Sequence, residues 1–129
     1  MIESIALTCL ALTVYFEARG EPDIAQQAVA HVAINRAKES DEGLCAVIFE
    51  PNQFSWTATK TSGGVVKPEY LPDFDGREWK QAKRAALNAW EGPDFTLGAV
   101  YFHKAGLSPG YTKTARRTAQ WGLHVFYAD

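Results

Sequence analysis

Glu17 and Glu21 stand four residues apart in the stretch VYFEARGE, where a long apolar run ends. The neighbours of Glu17 include Tyr15, Phe16 and Ala18. A carboxyl partly desolvated by such neighbours has a raised pKa and holds its proton near neutral pH. A general acid that protonates a departing oxygen, as in cleaving a glycosidic bond, needs that property. The competing reading is a solvated helix end, with Arg19 pairing with one of the acids. On an unbroken helix Glu17 and Glu21 would share a face, but Gly20 interrupts them. Glu21 beside Pro22 reads as the start of the next helix, where the helix dipole favours an acid. Glu17 is therefore the acid candidate, and Glu21 an orienting or structural residue.

Other chemistries find little support. The three histidines form no HExxH or comparable metal-binding pair. No G-x-S-x-G elbow and no phosphate-cradling glycine loop occurs. No metal and no cofactor is expected.

The elements that must position Glu17 follow from period and punctuation. The run from Ile5 to Phe16 is apolar on nearly all sides, so a central buried helix is expected from Ser4, as a possible N-cap, to Ala18. A second helix spans Asp23 to Lys38, with Ala25, Ala28, Val29, Val32 and Ala33 at helical spacing on its inner face. Ser40 to Gly43 is a turn. The run LCAVIFE is too short for periodicity to choose between strand and helical turn. PNQFSWTATKTSGGVV reads as extended chain and loop, with Gly63-Gly64 as a turn, and Pro68 to Asp75 as another loop. A third helix spans Arg77 to Glu91 with an inner stripe of Trp79, Ala82, Ala86, Leu87 and Trp90; Gly92-Pro93 stops it. AVYFH and LHVFYA read as two strands of a small sheet. In the first, Tyr101 and His103 share a face. The class is α+β, with helices first and the sheet after them.

The whole chain of 129 residues suits one domain, 1–129, and at 47% hydrophobic residues it can bury a sizeable core. Its formal net charge of -2 does not favour nucleic-acid binding. The basic stretch Lys113, Arg116, Arg117 reads as a solvated loop. The apolar run at the start is shorter than the roughly 20 residues that span a bilayer. It also lacks a basic leader, which predicts neither a membrane insertion nor a signal peptide. Cys9 and Cys45 are expected to be free buried thiols, because no dense cysteine framework is visible.

The motifs YFEARGEP, AQQAVAHVAINR, LCAVIFEPNQFSW, GAVYFH and WGLHVFY, in that order, resemble the SleB-type cell-wall hydrolase family, which includes spore-cortex-lytic enzymes and phage-type lysins. The resemblance covers nearly the whole chain. It implies a fold similar to lysozymes and lytic transglycosylases, mainly helical with a small antiparallel sheet. It implies cleavage of peptidoglycan glycan strands between N-acetylmuramic acid and N-acetylglucosamine; the chain itself is expected to be a monomer. The family's catalytic glutamate falls on Glu17. Gln26, Asn35, Arg36, Gln53, Phe54 and Ser55 also match recurring positions. The chain departs from the pattern at Ala25, where glycine is usual, and at Leu123, where asparagine is usual before the late histidine.

With that substrate in view, Gln53 is a candidate for sugar hydroxyls and Ser55 for an N-acetyl group or the catalytic acid. Phe54 and Trp56 are candidates for the cleft wall, Trp56 by stacking on a sugar ring. Tyr101 can orient an intermediate, and His124 can join His103 at the site. Each has a bland alternative: a cap for Gln53, a turn for Ser55, the core for Trp56, satisfied structural roles for the histidines. His31 is expected to pack or lie at the surface. One carboxylate suffices for a lytic transglycosylase, in which Glu17 acts first as acid and then as base toward the sugar's own 6-hydroxyl. A hydrolytic muramidase needs a second acid, for which Glu50, Asp73 and Asp75 are candidates beside Glu21. A non-catalytic glycan-binding module is the third reading. The sequence predicts synthesis in the cytoplasm without a signal peptide and action on the wall after release, or export within a longer precursor.

Overall fold

In the computed structural model residues 2–51 and 53–129 are described; Met1 and Asn52 lie outside them. Helix α1 (Ser4–Ala18) runs through the middle, and every residue from Cys9 to Tyr15 is buried. The one polar side chain among them, Thr13, donates its hydroxyl to the carbonyl of Cys9 at 3.2 Å, which removes the cost of burying it. Ser4 is the first helical residue, and the N-cap position belongs to Glu3, without a side-chain cap bond.

Helices α2 (Asp23–Lys38) and α5 (Arg77–Glu91) flank α1 and pack on each other. Both present small side chains inward. Ala25, Ala28, Val29, Val32 and Ala33 are fully buried on α2, and Ala82, Ala85, Ala86 and Ala89 on α5, beside Trp79. Small residues let the helix axes approach closely. The stripe expected on α5 is shifted: Trp90 is 40% exposed and Leu87 half-buried. Ala89, not Trp90, continues the row at i, i+3, i+7, i+10 from Trp79.

The ambiguous run LCAVIFE forms helix α3 (Leu44–Phe49). The next stretch, read as extended chain, contains helix α4 (Ser55–Lys60) before the short hairpin of β1 (Thr61–Ser62) and β2 (Val65–Val66) turns at Gly63-Gly64. Within the loop of Pro68 to Asp75, a 3-10 turn covers Pro68–Tyr70. Both short helices pack on α1, and tertiary burial decides their form.

The sheet has three antiparallel strands in the order β3 (Tyr101–Lys104), β5 (His124–Ala128), β4 (Arg116–Trp121). The two expected strands pair directly, with Phe102 opposite Phe126 and Lys104 opposite His124. The third, β4, joins β5 through the Gly122-Leu123 turn. Phe126 packs on Ala28, Val29 and Val32, so the sheet is laid against α2.

Cys9 and Cys45 form a disulfide, correcting the expectation of free thiols. Packing of α3 on α1 brings their Cα atoms to 5.5 Å, inside the range a bridge requires. Spacing along the chain could not show that proximity. Alkylation of the unreduced, denatured chain is expected to label neither cysteine, and labelling of both would remove the bridge from this structure. With the cysteines 36 positions apart, the double variant Cys9→Ser, Cys45→Ser should lose roughly 3–4 kcal/mol in chemical denaturation.

Candidate active site

The question raised by two glutamates at the end of α1 is settled by how the chain turns. Gly20 takes a positive φ of 84°, which glycine adopts without strain. The Glu21 amide then returns to the Ala18 carbonyl at 3.1 Å. Buried Gln26 donates to the carbonyls of both Ala18 and Glu21, at 3.3 and 3.2 Å. The turn sends the two carboxylates to different neighbours. Arg19 pairs with neither: it donates to the Tyr15 hydroxyl at 2.7 Å and lies over that ring at 4.8 Å.

Glu17 lines a cleft of about 290 Å³ with Arg36, Gln53, Phe54, Ser55, Phe102, His103, Lys104, Leu107 and His124. The Ser55 hydroxyl lies 3.4 Å from Glu17 Oε1, and the Trp56 backbone amide also supports the carboxylate. Burial pushes the Glu17 pKa above its ordinary value. The Ser55 and Trp56 hydrogen bonds and the charges of Lys104 and Arg36 oppose that rise without cancelling it. The result is a carboxyl biased toward its protonated form beside an open cavity.

Arg36 holds the cleft wall in place. From α2 it donates to the Val100 carbonyl and to the Gln53 carbonyl, each at 2.6 Å, and its guanidinium lies 4.5 Å from the Phe54 ring centre. This one side chain joins α2, the segment before α4 and the segment before β3. Next to it, Asn35 donates to the Ala99 carbonyl and to Asp94, each at 2.9 Å. Asp94 in turn accepts from Thr96 and Gly98. Burial acts to raise the Asp94 pKa, but these hydrogen bonds outweigh it and hold the carboxyl below its ordinary value. His31, buried, stands 3.9 Å from the same carboxylate, a packing role.

Glu21 is turned to the β4–β5 hairpin. Its Oε1 accepts the Leu123 amide at 2.8 Å, and its Oε2 lies 2.8 Å from His124 Nδ1. Gly122, at a φ of 58°, passes so close that a Cβ there would lie 2.6 Å from Glu21 Oε1. Leu123 is 64% exposed and makes this contact through its backbone, so the departure from asparagine leaves it intact. His124 is 1% exposed and meets the Phe102 ring at 5.3 Å.

Trp56 is not a cleft residue. It is 2% exposed, stacked on Phe16 at 4.9 Å and edge-on to Phe49 at 5.5 Å, leaving no face for a sugar. Phe54 lines the cleft but is 3% exposed. Tyr101 lies in an adjoining hollow of about 270 Å³ that shares Arg36 and Gln53 with the cleft and also contains Glu50. It stacks on Tyr111 at 4.8 Å. Burial pushes the Tyr111 hydroxyl up to about 12. His103 reaches the cleft edge and the Tyr127 hydroxyl, at 3.2 Å. Asp73 lines a separate hollow with Tyr15 and Trp79, and Asp75 lies beside it in the chain. Phe102, Lys104 and Leu107 were not candidates from sequence. For the first two, strand alternation was the available signal: they occupy the β3 face opposite that of Tyr101.

A family model described as Cell Wall Hydrolase matches residues 20–127, beginning three positions after Glu17. The chain is 35% identical over 121 residues to a spore cortex-lytic enzyme of Halalkalibacterium halodurans, covering 91% of this chain and 33% of that protein. To the spore cortex-lytic enzyme of Oceanobacillus iheyensis it is 33% identical over 124 residues, covering 91% and 39%. The chain thus spans about a third to two fifths of these relatives' length. The crystal structure of the catalytic domain of the Bacillus cereus SleB protein superposes with a TM-score of 0.77 at 30% identity, covering 98% of this chain and 92% of that one. The catalytic domain of the germination-specific lytic transglycosylase SleB from Bacillus anthracis gives 0.76 at 31%, covering 98% and 96%.

A raised Glu17 pKa has a thermodynamic sign. Below the ordinary value of 4.5 the carboxyl is protonated in both folded and unfolded chains. As pH rises toward the folded pKa the unfolded chain ionises first, and stability is lost. The melting temperature of Glu17→Gln minus that of the wild type should therefore grow with pH above about 4.5 and level off past the folded pKa. A difference that is flat or falls with pH would contradict the raised value.

Proposed function

Since this chain belongs to the cell wall hydrolase family, we propose that it cleaves peptidoglycan glycan strands between N-acetylmuramic acid and N-acetylglucosamine as a lytic transglycosylase, with Glu17 as general acid. The observation that carries the reading is the cleft itself: among the described residues Glu17 is the one carboxylate in its lining, and burial biases it toward the acid form. The spore cortex-lytic names of the relatives support the substrate class. The description of one similar catalytic domain as a lytic transglycosylase supports the route.

Glu17 gives its proton to the glycosidic oxygen as the bond to the muramic acid C1 breaks. Glu17, now a carboxylate, takes the proton of the sugar's own 6-hydroxyl as that oxygen attacks C1 and closes a 1,6-anhydro ring, which restores the acid. A tethered nucleophile of this kind can reach an effective molarity of about 10⁵ M or more, so no second carboxylate is required. Gln53 and Ser55 face the sugars, with buried Phe54 and His124 as the packed wall behind them and Tyr101 extending the surface past Gln53. Glu21 acts behind His124. A Cys9–Cys45 bridge persists in an oxidising compartment, in keeping with action at the wall, outside the reducing cytoplasm.

Glu17→Gln keeps the side-chain volume and removes the transferable proton. It should lower the rate of peptidoglycan clearing by roughly 10²- to 10⁴-fold. Near-normal clearing by the folded variant would end the assignment. Digestion in ¹⁸O-labelled water should give muropeptides with unlabelled 1,6-anhydro-N-acetylmuramic acid ends. Labelled reducing ends would make the enzyme a hydrolase and move attention to Glu50, in the adjoining hollow. A protein that pellets with the wall without cutting it would be a binding module.

A further inference from the structure

A second hollow, of about 880 Å³, has about three times the volume of the cleft that holds Glu17. It opens between the α1–α2 turn, from Gly20 to Asp23, and the outer side of α5. Helix α5 contributes Arg77, Gln81, Arg84 and Asn88. These stand at i, i+4, i+7 and i+11, so they form one stripe along the helix. The alanine row of α5 packs on the core on another side. Apart from Pro22, no aliphatic or aromatic side chain lines the hollow. Sugar rings stack on aromatic faces, and this surface offers none. It is built for a charged, hydrogen-bonding ligand.

The charges in it fall into two groups. Glu21 is committed to the Leu123 amide and His124, and Asp23 accepts from Gln27 at 2.6 Å. The ion pairs among the described residues are His31–Asp94 and His124–Glu21, so Arg77, Arg84 and Glu78 face no opposite charge. Each arginine presents a planar fork of donors that matches a carboxylate. Arg77 and Arg84 lie seven residues apart on α5, about 10 Å along the helix axis. An extended peptide covers that distance in about three residues. In peptidoglycan the N-acetylated sugars are neutral, and the carboxylates and amines belong to the short peptides that hang from muramic acid.

We propose that this hollow binds the peptide stem of the strand being cut, with Arg77 and Arg84 taking its carboxylates and Glu78 its free amine. The inference rests on the proposed substrate and deepens it, because it gives the peptide a surface outside the sugar cleft. The two surfaces meet at the α1–α2 turn. Glu17 lines the cleft and Glu21 the hollow, and four residues of chain hold their Cα atoms within about 14 Å of each other. Glu21 also touches His124 of the cleft wall at 2.8 Å. A four-residue stem spans roughly 14 Å when extended, enough to pass from a muramic acid in the cleft over the turn to α5. Gly20, in that turn, is exposed and has open space beside its Cα, so no side chain bars the way.

The test compares cleavage of soluble glycan strands that carry their peptides with cleavage of the same strands stripped by an amidase. The wild type should show a KM about 10-fold lower on the peptide-bearing strands, at similar kcat. The double variant Arg77→Gln, Arg84→Gln should lose that preference and match the wild type on stripped strands. Both arginines are exposed and glutamine is a good helix former, so the variant keeps its fold. The control Lys80→Gln, Lys83→Gln removes the same charge from α5 outside the hollow and should leave KM unchanged. An equal rise of KM in that control, a loss shared by both substrates, or a wild type indifferent to the peptide overturns the inference. If the wild type cuts neither substrate, the proposed function falls, and the inference is read separately. A free stem tetrapeptide titrated into the Glu17→Gln protein should then shift the side-chain NMR signals of Arg77 and Arg84, and unmoved signals overturn it.

Discussion

Helix α1 is buried over the seven consecutive residues from Cys9 to Tyr15, and its one carboxylate, Glu17, stands in the last turn, where that run ends. Between Cys9 and Tyr15 a carboxyl on α1 would be buried against the neighbouring helices and find neither solvent nor substrate. In its last turn the same helix brings Glu17 to the edge of the core. There apolar packing desolvates it and a cavity opens beside it. The acid's raised pKa and its access to a ligand thus come from one circumstance, the place where the core stops.

That placement is useful only if the surrounding pieces hold still, and two polar side chains fasten them. Arg36 binds the carbonyls of Gln53 and Val100 and lies against Phe54, fixing the wall that carries Ser55. Glu21 fastens the β4–β5 hairpin to the turn after α1. Arg36 donates to partly buried backbone carbonyls that would otherwise lie unpaired near the core, where an orphaned group costs roughly 1–3 kcal/mol. Such contacts tie function to fold, because the residues that align the cleft also close its backbone hydrogen bonds. The Cys9–Cys45 bridge adds a covalent constraint between α1 and α3, away from the cleft lining.

Much of this was legible in the sequence because it is local. The three long helices were readable from hydrophobic period and from Gly20, Pro22, Gly92 and Pro93, which act within a few residues of themselves. The separation of Glu17 from Glu21 was readable from Gly20 for the same reason. Two strands were visible as aromatic and β-branched runs, and the quoted motifs pointed to the family. Tertiary structure decided what depends on residues distant in the chain. Whether LCAVIFE and SWTATK are helices rests on burial against α1. Whether Trp56 meets sugar or core rests on Phe16 and Phe49, and whether two cysteines join rests on how α3 lies. Strand alternation placed Tyr101 and His103 on one β3 face but could not say which of these residues meet the cleft; pairing with β5 brought Phe102 and Lys104 to its lining and His103 to its edge, and left Tyr101 in the adjoining hollow. The partner of His124 is 103 positions away, and spacing along a chain carries no information about a contact that exists only once the hairpin has folded back.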